Sequence, residues 1–297
     1  MAVLPMDIDI LPPSDDRVFK LLLVSPEAKP ALIDLVSALI NRPVTDVIIR
    51  NNELPLGDTQ EKAERLDLNC MTDDKTQIDV EMQASYIKEL LGGHENLFGK
   101  SIYYLCDLHS SQSSVGKPYN ELARTYQVTF CMYSLFPERK GFVNSFSMRH
   151  DIDNGLLHDA IHVVFVELSK LEDLLKKPVD KMTDLEKWAI FFRYSNIPEC
   201  REIANKVIES KEVLKLAGTL LTGISKDERE RAIFRSRRMY QSDLDSNMAT
   251  AKIEGRTEGR TEMAFAIARN MLKRNRPINE IIEDTGLTQA EVESLLS

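Results

Sequence analysis

The sequence has little of what several kinds of protein are built from. Cysteine is scarce: Cys70, Cys106, Cys131 and Cys200 are the 4 in 297 residues, and none stands in a CxxC pair. That spacing excludes a disulfide scaffold or a zinc ribbon, and reduced thiols packed in a core are expected instead. The 5 histidines, His94, His109, His150, His158 and His162, form no HExxH, so a zinc hydrolase has no ligand set. No G-x-S-x-G, P-loop or G-x-G-x-x-G occurs, which removes serine chemistry and nucleotide cofactors. No apolar run approaches the ~20 residues of a membrane span. The opening MAVLPMDIDILPPSDD lacks a basic segment followed by an apolar one, so no signal peptide or anchor is expected and the cytoplasm is the expected location. Positive charge is also short. With 38 Lys and Arg against 47 Asp and Glu the formal charge is -9, which argues against a protein that coats nucleic acid but leaves room for a local basic groove.

What is present is an ordinary globular composition, 43% hydrophobic and 29% charged, in a chain long enough for a sizeable core. Helical spacing from residue 15 to 42 is broken at Pro26 and Pro30, giving two helices, and a β-branched segment follows at 44–54. Residues 85–111 form a long helical pattern, with Leu90, Leu91, Leu97, Ile102, Leu105 and Leu108 on or near one face. A loop-like stretch at 110–119 leads to strands at 124–136, 142–148 and 161–168. After residue 169 only helical patterns occur. The expected divisions are 1–170, a mixed α/β region; 171–247, a helical region; and 248–297, a helical tail.

The stretch LDLNCMTDDKTQIDVEMQ, residues 66–83, alternates on both sides of a polar break and reads as a β-hairpin with Asp73, Asp74 and Lys75 at its tip. In the register this implies, Leu66 faces Met82, Leu68 faces Val80 and Cys70 faces Ile78, which makes an apolar face. The other face opposes Arg65 to Gln83, Asp67 to Glu81 and Asn69 to Asp79. Like charges directly opposite destabilise a sheet, so deleting either acid is expected to raise the melting temperature of the metal-free protein slightly. Two carboxylates on rigid strands suit a divalent cation of the Mg2+ kind, which would remove that repulsion. Gln83, on the same face, has an amide able to hold water or a phosphate oxygen. Asp79 is a second choice of ligand. A solvated polar face with Arg65 as counter-charge accounts for the same alternation.

An Asp in one strand, a turn, and E-x-K or E-x-Q in the next is the arrangement of the PD-(D/E)XK nuclease superfamily. The chain resembles one branch of it, the bacterial recombination-promoting nucleases, also described as transposases. The resemblance is carried by DRVFKLLL (16–23), RLDL (65–68), IDVEMQ (78–83), KSIYYLCDLHSSQ (100–112) and GKPYNELARTYQVTF (116–130). It implies a restriction-endonuclease-like α/β core, a mixed sheet flanked by helices, with an all-helical C-terminal extension. It implies a DNA endonuclease dependent on Mg2+ or Mn2+, linked to recombination or mobile elements, with DNA as partner. By position, Asp67 and Glu81 become metal ligands and Gln83 takes the place of the motif lysine. Asp16 matches an early acid that reaches the metal through water. Lys100 stands where relatives show Arg before the YY pair, a candidate DNA contact. Gln83 lacks a lysine's charge, so a catalytically inactive nuclease fold serving as a DNA-binding or adaptor module is the competing reading.

Three features lie outside that core. SKDERERAIFRSRRMY (225–240) concentrates arginines, among them Arg235, Arg237 and Arg238. They read either as a phosphate grip or as a solvated helix face paired within itself. In KIEGRTEGRTE (252–262) basic, acidic and small residues each recur at every fourth position, and the resemblance extends to this GRTE repeat. Each glycine costs a helix about 1 kcal/mol, so the repeat suits either close pairing of helices or a flexible linker, and a homo-oligomer is the favoured expectation. PINEIIEDTGLTQAEVESLL (277–296) has a helix-turn-helix cadence, but its second helix carries acids and no Lys or Arg, which suits packing better than a major groove.

Overall fold

The computed structural model describes residues 3–50, 68–84, 94–116 and 118–296. They form two compact units, Met1–Arg231 and Ala232–Ser297.

The first unit is built on a 6-stranded mixed sheet in the order β1-β2-β3-β4-β6-β5. The strands are β1 (Val47–Ile49), β2 (Leu68–Thr72), β3 (Gln77–Gln83), β4 (Thr125–Cys131), β5 (Val143–Ser147) and β6 (Ile161–Glu167). β2 and β3 are the expected hairpin, in the expected register: Leu68 pairs with Val80, Asn69 with Asp79 and Cys70 with Ile78. The pairs assigned to residues 65–67 lie outside the described residues. β3, β4 and β6 run parallel, while β1 and β5 pair antiparallel at the edges.

The hairpin tip is organised by Asp74. Its Oδ1 accepts from Thr72 Oγ1 (2.6 Å) and Thr76 N (3.1 Å), and Arg42 bonds both Asp74 and Thr76. Burial would raise the pKa of Asp74. The Thr72 and Thr76 hydrogen bonds and the Arg42 charge outweigh it and hold the carboxyl at about 2. This value is below the roughly 3.9 of an unfolded Asp, so the stabilisation is fully present above roughly pH 4 and is lost as pH falls through the folded value. Asp74→Asn is therefore expected to melt below wild type at pH 7, with the gap closing toward pH 2. A gap that stays constant with pH in thermal melts would contradict this account.

One face of the sheet is an apolar core. Val80, Val128 and Phe130 are fully buried against α1 (Asp16–Val24), α2 (Lys29–Ile40) and α4 (Asp184–Tyr194). The Phe19, Phe130 and Phe192 rings meet at 5.2–6.4 Å. Asp15 caps α1 by accepting from Arg17 N and Val18 N, and Thr183 and Glu186 form a capping box on α4. The first three α-helices after residue 170 belong to this same unit. α4, α5 (Arg201–Glu209) and α6 (Glu212–Lys226) pack on one another, and α4 and α6 also pack on α2. Trp188 donates to Asp34 of α2 at 2.9 Å. The N-terminal segment, which sequence patterns leave unassigned, is strapped across α5 and α6. Leu4 exchanges two hydrogen bonds with Asn205, Arg201 donates to Pro5 O and Ile8 O, and Leu11 N donates to Ser225. Gly218 makes room for that strap, since a Cβ there would stand 2.7 Å from Val3.

The opposite face carries α3 (His94–Ser110), which buries Leu97, Ser101, Leu105 and Leu108; Ile102, expected near that face, is 55% exposed. The second unit is dominated by α7 (Glu228–Lys273), a helix of 46 residues. Two short helices, α8 (Ile278–Thr285) and α9 (Gln289–Glu293), fold back on its end through Ala268, Ile281, Leu287 and Val292. The turn between them uses Gly286 at φ 70° as a left-handed cap and a Thr288–Glu291 capping box. The terminal hairpin thus packs on the end of α7.

Candidate functional site

The face of β3 opposite the core holds Asp79 and Glu81, brought to one side by the period of two. In register with them across the sheet stand Asn69 on β2 and Gln127 and Thr129 on β4. A solvated face is one reading of this alternation; the structure shows a buried one. Asp79, Gln127 and Thr129 are fully buried, and Glu81 is 4% exposed. The cause is the crossover from β3 to β4. A parallel connection must pass over one face of the sheet, and it does so with α3.

This polar interior is unusual in its satisfaction. Asn69 Oδ1, both amide atoms of Gln127 and Thr129 Oγ1 have no hydrogen-bond partner among the described residues. Buried polar atoms are nearly always bonded, and clusters of exceptions mark sites that take a ligand or water. The groups around Glu81 are oxygen donors of the hard kind that Mg2+ and Mn2+ prefer. No group of three or more His, Cys, Asp and Glu with metal-binding geometry occurs among the described residues. A magnesium site needs only one or two protein carboxylates with waters and phosphate. The donor set on β3 therefore fits such an ion, with Glu81 and Asp79 as the described carboxylates.

Glu81 already has a cationic neighbour. Lys100, from α3, places Nζ 2.8 Å from Glu81 Oε2, and the same Nζ lies 5.1 Å from the Tyr104 ring centroid. The candidate DNA contact thus rests on the candidate ligand. Gln83 ends β3 on the same face, half-buried, and its carbonyl accepts from Met132 N. Asp16 opens α1, the layer on the other face of the sheet. Asp67 lies outside the described residues. Arg235, Arg237 and Arg238 are on α7 in the second unit. Of the charges expected to pair within that helix, Glu230 instead forms a two-point bond with Arg17 (2.6 and 2.9 Å), and Arg231 reaches Asp9.

His109, near the end of α3, is half-buried. Its Nδ1 is 2.8 Å from Thr125 Oγ1, and burial, then the His158 charge, lowers its pKa. The thiols nearest the site are inert: burial and the charge of Asp79 push Cys70 up to about 12. Cys131 is raised by burial, then by Glu167 and Glu81. A cleft of about 490 Å³ lies on the same sheet face, lined by Arg50, Lys75, Gln77, Gln112 and Tyr119 among others. Gln77 is four residues before Glu81 on β3, roughly 13 Å along the strand. Lys75 sits at the hairpin tip with φ 66°, and Tyr119 is 81% exposed. Sequence patterning did not single out this cleft, because its residues come from three separate segments.

A sequence model of the family described as PD-(D/E)XK nuclease family transposase matches residues 13–251. No curated protein and no solved structure matches the chain.

Proposed function

We propose that this chain, which belongs to the PD-(D/E)XK nuclease family of transposases, is a divalent-metal-dependent DNA endonuclease. Nucleases of this superfamily generally use divalent metals. The observation that carries the reading is Glu81, a carboxylate held almost out of solvent among oxygen donors that lack partners, with a cation already beside it. Glu81 and Asp67 would hold Mg2+ or Mn2+, with Asp79 as the outer acid. When bound, the ion polarises the phosphodiester and lowers the pKa of a water. The residues of the chain supply the rest. Gln83 orients the attacking water or a phosphate oxygen through its amide, the α3 layer limits bulk solvent, and the cleft with Arg50 and Lys75 takes the flanking backbone. The test is supercoiled plasmid incubated with the full chain and Mg2+, Mn2+ or chelator. Nicked or linear product with metal only is expected. Intact plasmid in every metal, together with a mobility shift, would instead favour the inactive DNA-binding reading, which the Gln at 83 supports.

Gln83 gives a sharper expectation. Gln83→Leu, which cannot hydrogen-bond, is expected to lower single-turnover cleavage about a hundredfold, in the range of one lost positioning donor. Gln83→Lys is expected to keep or raise it. Equal rates for Leu and Gln would remove any chemical role for this side chain.

For the second unit we propose self-association along α7. The helix spans roughly 69 Å at 1.5 Å per residue, passes unbroken through Gly255 and Gly259, and leaves Ile253 and Met263 each 67% exposed. Such helices draw their stability from packing. Leu at both glycines is expected to reduce the mass seen by light scattering. A mass unchanged by the double substitution, or a monomeric wild type, would refute helix pairing.

A further inference from the structure

We propose that Lys100 is the catalytic cation of this site, carried on α3 in place of the lysine absent from β3, and that it occupies Glu81 until a divalent ion displaces it. The inference rests on the nuclease reading and deepens it. β3 ends Glu81, Met82, Gln83, so the strand itself brings no positive charge to the reacting phosphate. α3 brings one. Lys100 Nζ stands 2.8 Å from Glu81 Oε2, while the two side chains differ sharply in exposure, 39% for Lys100 and 6% for Glu81. The carboxylate is fixed in the middle of the sheet layer, whereas the ammonium sits on a flexible four-carbon stem that opens to water. Of this pair Lys100 is the more exposed and the more flexible partner.

The geometry makes the ammonium a stand-in for the metal. A buried carboxylate among unpartnered oxygen donors needs a cation, and Lys100 meets that need in the resting protein. With a divalent ion held at Glu81, Lys100 would lose this oxygen to the competing charge and would turn toward the substrate instead. The Tyr104 ring, one helical turn further along α3 and 5.1 Å from Nζ, lies beside its path as a cation-π surface. There Lys100 balances the negative charge that grows on the phosphoryl oxygens, without forming a covalent bond or exchanging a proton. Lys100 accordingly works against metal binding in the free protein and for cleavage in the complex. A residue that only bound DNA would have neither effect on the metal.

The test uses the full chain with Lys100→Met and, should that variant melt far below wild type, Lys100→Gln. Titration calorimetry with Mn2+ and no DNA is expected to show about tenfold tighter binding than wild type, since the competing charge is gone. Single-turnover cleavage at saturating Mn2+ is expected to fall about a hundredfold. Adding Gln83→Lys to Lys100→Met returns the charge from the strand, and is expected to recover cleavage about tenfold or more. Mn2+ affinity that is unchanged or weaker, or wild-type cleavage by Lys100→Met at saturating metal, would overturn the proposal. If the wild type itself cleaves no DNA, the nuclease reading fails, and the calorimetry alone then decides whether Lys100 guards a metal site.

Discussion

Glu81→Gln is expected to lower metal-dependent cleavage about a thousandfold, which is about 4 kcal/mol of transition-state stabilisation, the scale of a displaced catalytic metal. The substitution keeps the side-chain volume and one oxygen but removes the charge that would hold a divalent ion. Calorimetric Mn2+ binding should fall with activity, while the far-ultraviolet circular dichroism stays that of wild type. Glu81→Ala should do the same to activity and also lower the melting temperature of the metal-free protein. Taken as one of two opposed carboxylates, Glu81 would relieve repulsion when deleted and the protein would melt higher. Lys100 changes the sign, because the nearest described charge to Glu81 is an ammonium at 2.8 Å. A Glu81→Gln protein that cleaves within tenfold of wild type would remove Glu81 from the chemistry.

The largest effect on stability is expected at a residue with no part in the reaction. Glu167, at the end of β6, is fully buried. Its Oε1 accepts from Leu135 N (2.6 Å), Phe136 N (3.1 Å) and Ser134 Oγ (3.1 Å), and its Oε2 accepts from Asn144 Nδ2 and Lys170 Nζ (both 2.7 Å). Lys170 in turn donates to Phe136 O and Arg139 O. The carboxylate is thus the knot that ties the chain after β4 to the far edge of the sheet. Glu167→Ala leaves buried donors unpaired and the Lys170 ammonium without its counter-charge, a change worth roughly 3–5 kcal/mol. For a unit of this size that is a melting-temperature drop of roughly 6–20 °C. Phe136 stacks on Phe98 of α3 at 5.5 Å, so the loosened segment also underlies the helix that carries Lys100. Cleavage should therefore weaken at temperatures well below the midpoint. A midpoint within about 2 °C of wild type in calorimetric melts would show the knot to be dispensable.

The elements and part of the site were legible from the chain alone, and the reason is local. Alternation over residues 68–83 places Asn69, Asp79 and Glu81 on one side whatever the rest of the protein does, and the short polar break fixes the register of β2 on β3. Helical spacing, capping residues and proline breaks place α1, α2 and α4 in the same way. The resemblance to the family then sets the chemistry expected of Asp67, Glu81 and Gln83. Period two says which side chains share a face, however, and does not say what covers that face.

Coverage was decided by tertiary structure. The parallel pairing of β3 with β4 forces a crossover, and α3 turns a face that reads as solvated into a buried polar layer. The Lys100–Glu81 contact joins residues from two elements, and the Glu167 knot gathers donors from Leu135, Asn144 and Lys170. The strap of residues 3–11 over α5 and α6 spans some two hundred positions, as in the Leu4–Asn205 bonds. Helices α4, α5 and α6, set apart by composition, share the unit of the sheet because α2 offers α4 and α6 an apolar flank. Such contacts depend on which surfaces meet once the layers stack, and burial makes each one strong by removing the competing water. The sequence by itself therefore determined the hairpin and the acids it presents; only the stacked layers decided that Glu81 would be dry, and that a lysine from α3 would be its neighbour.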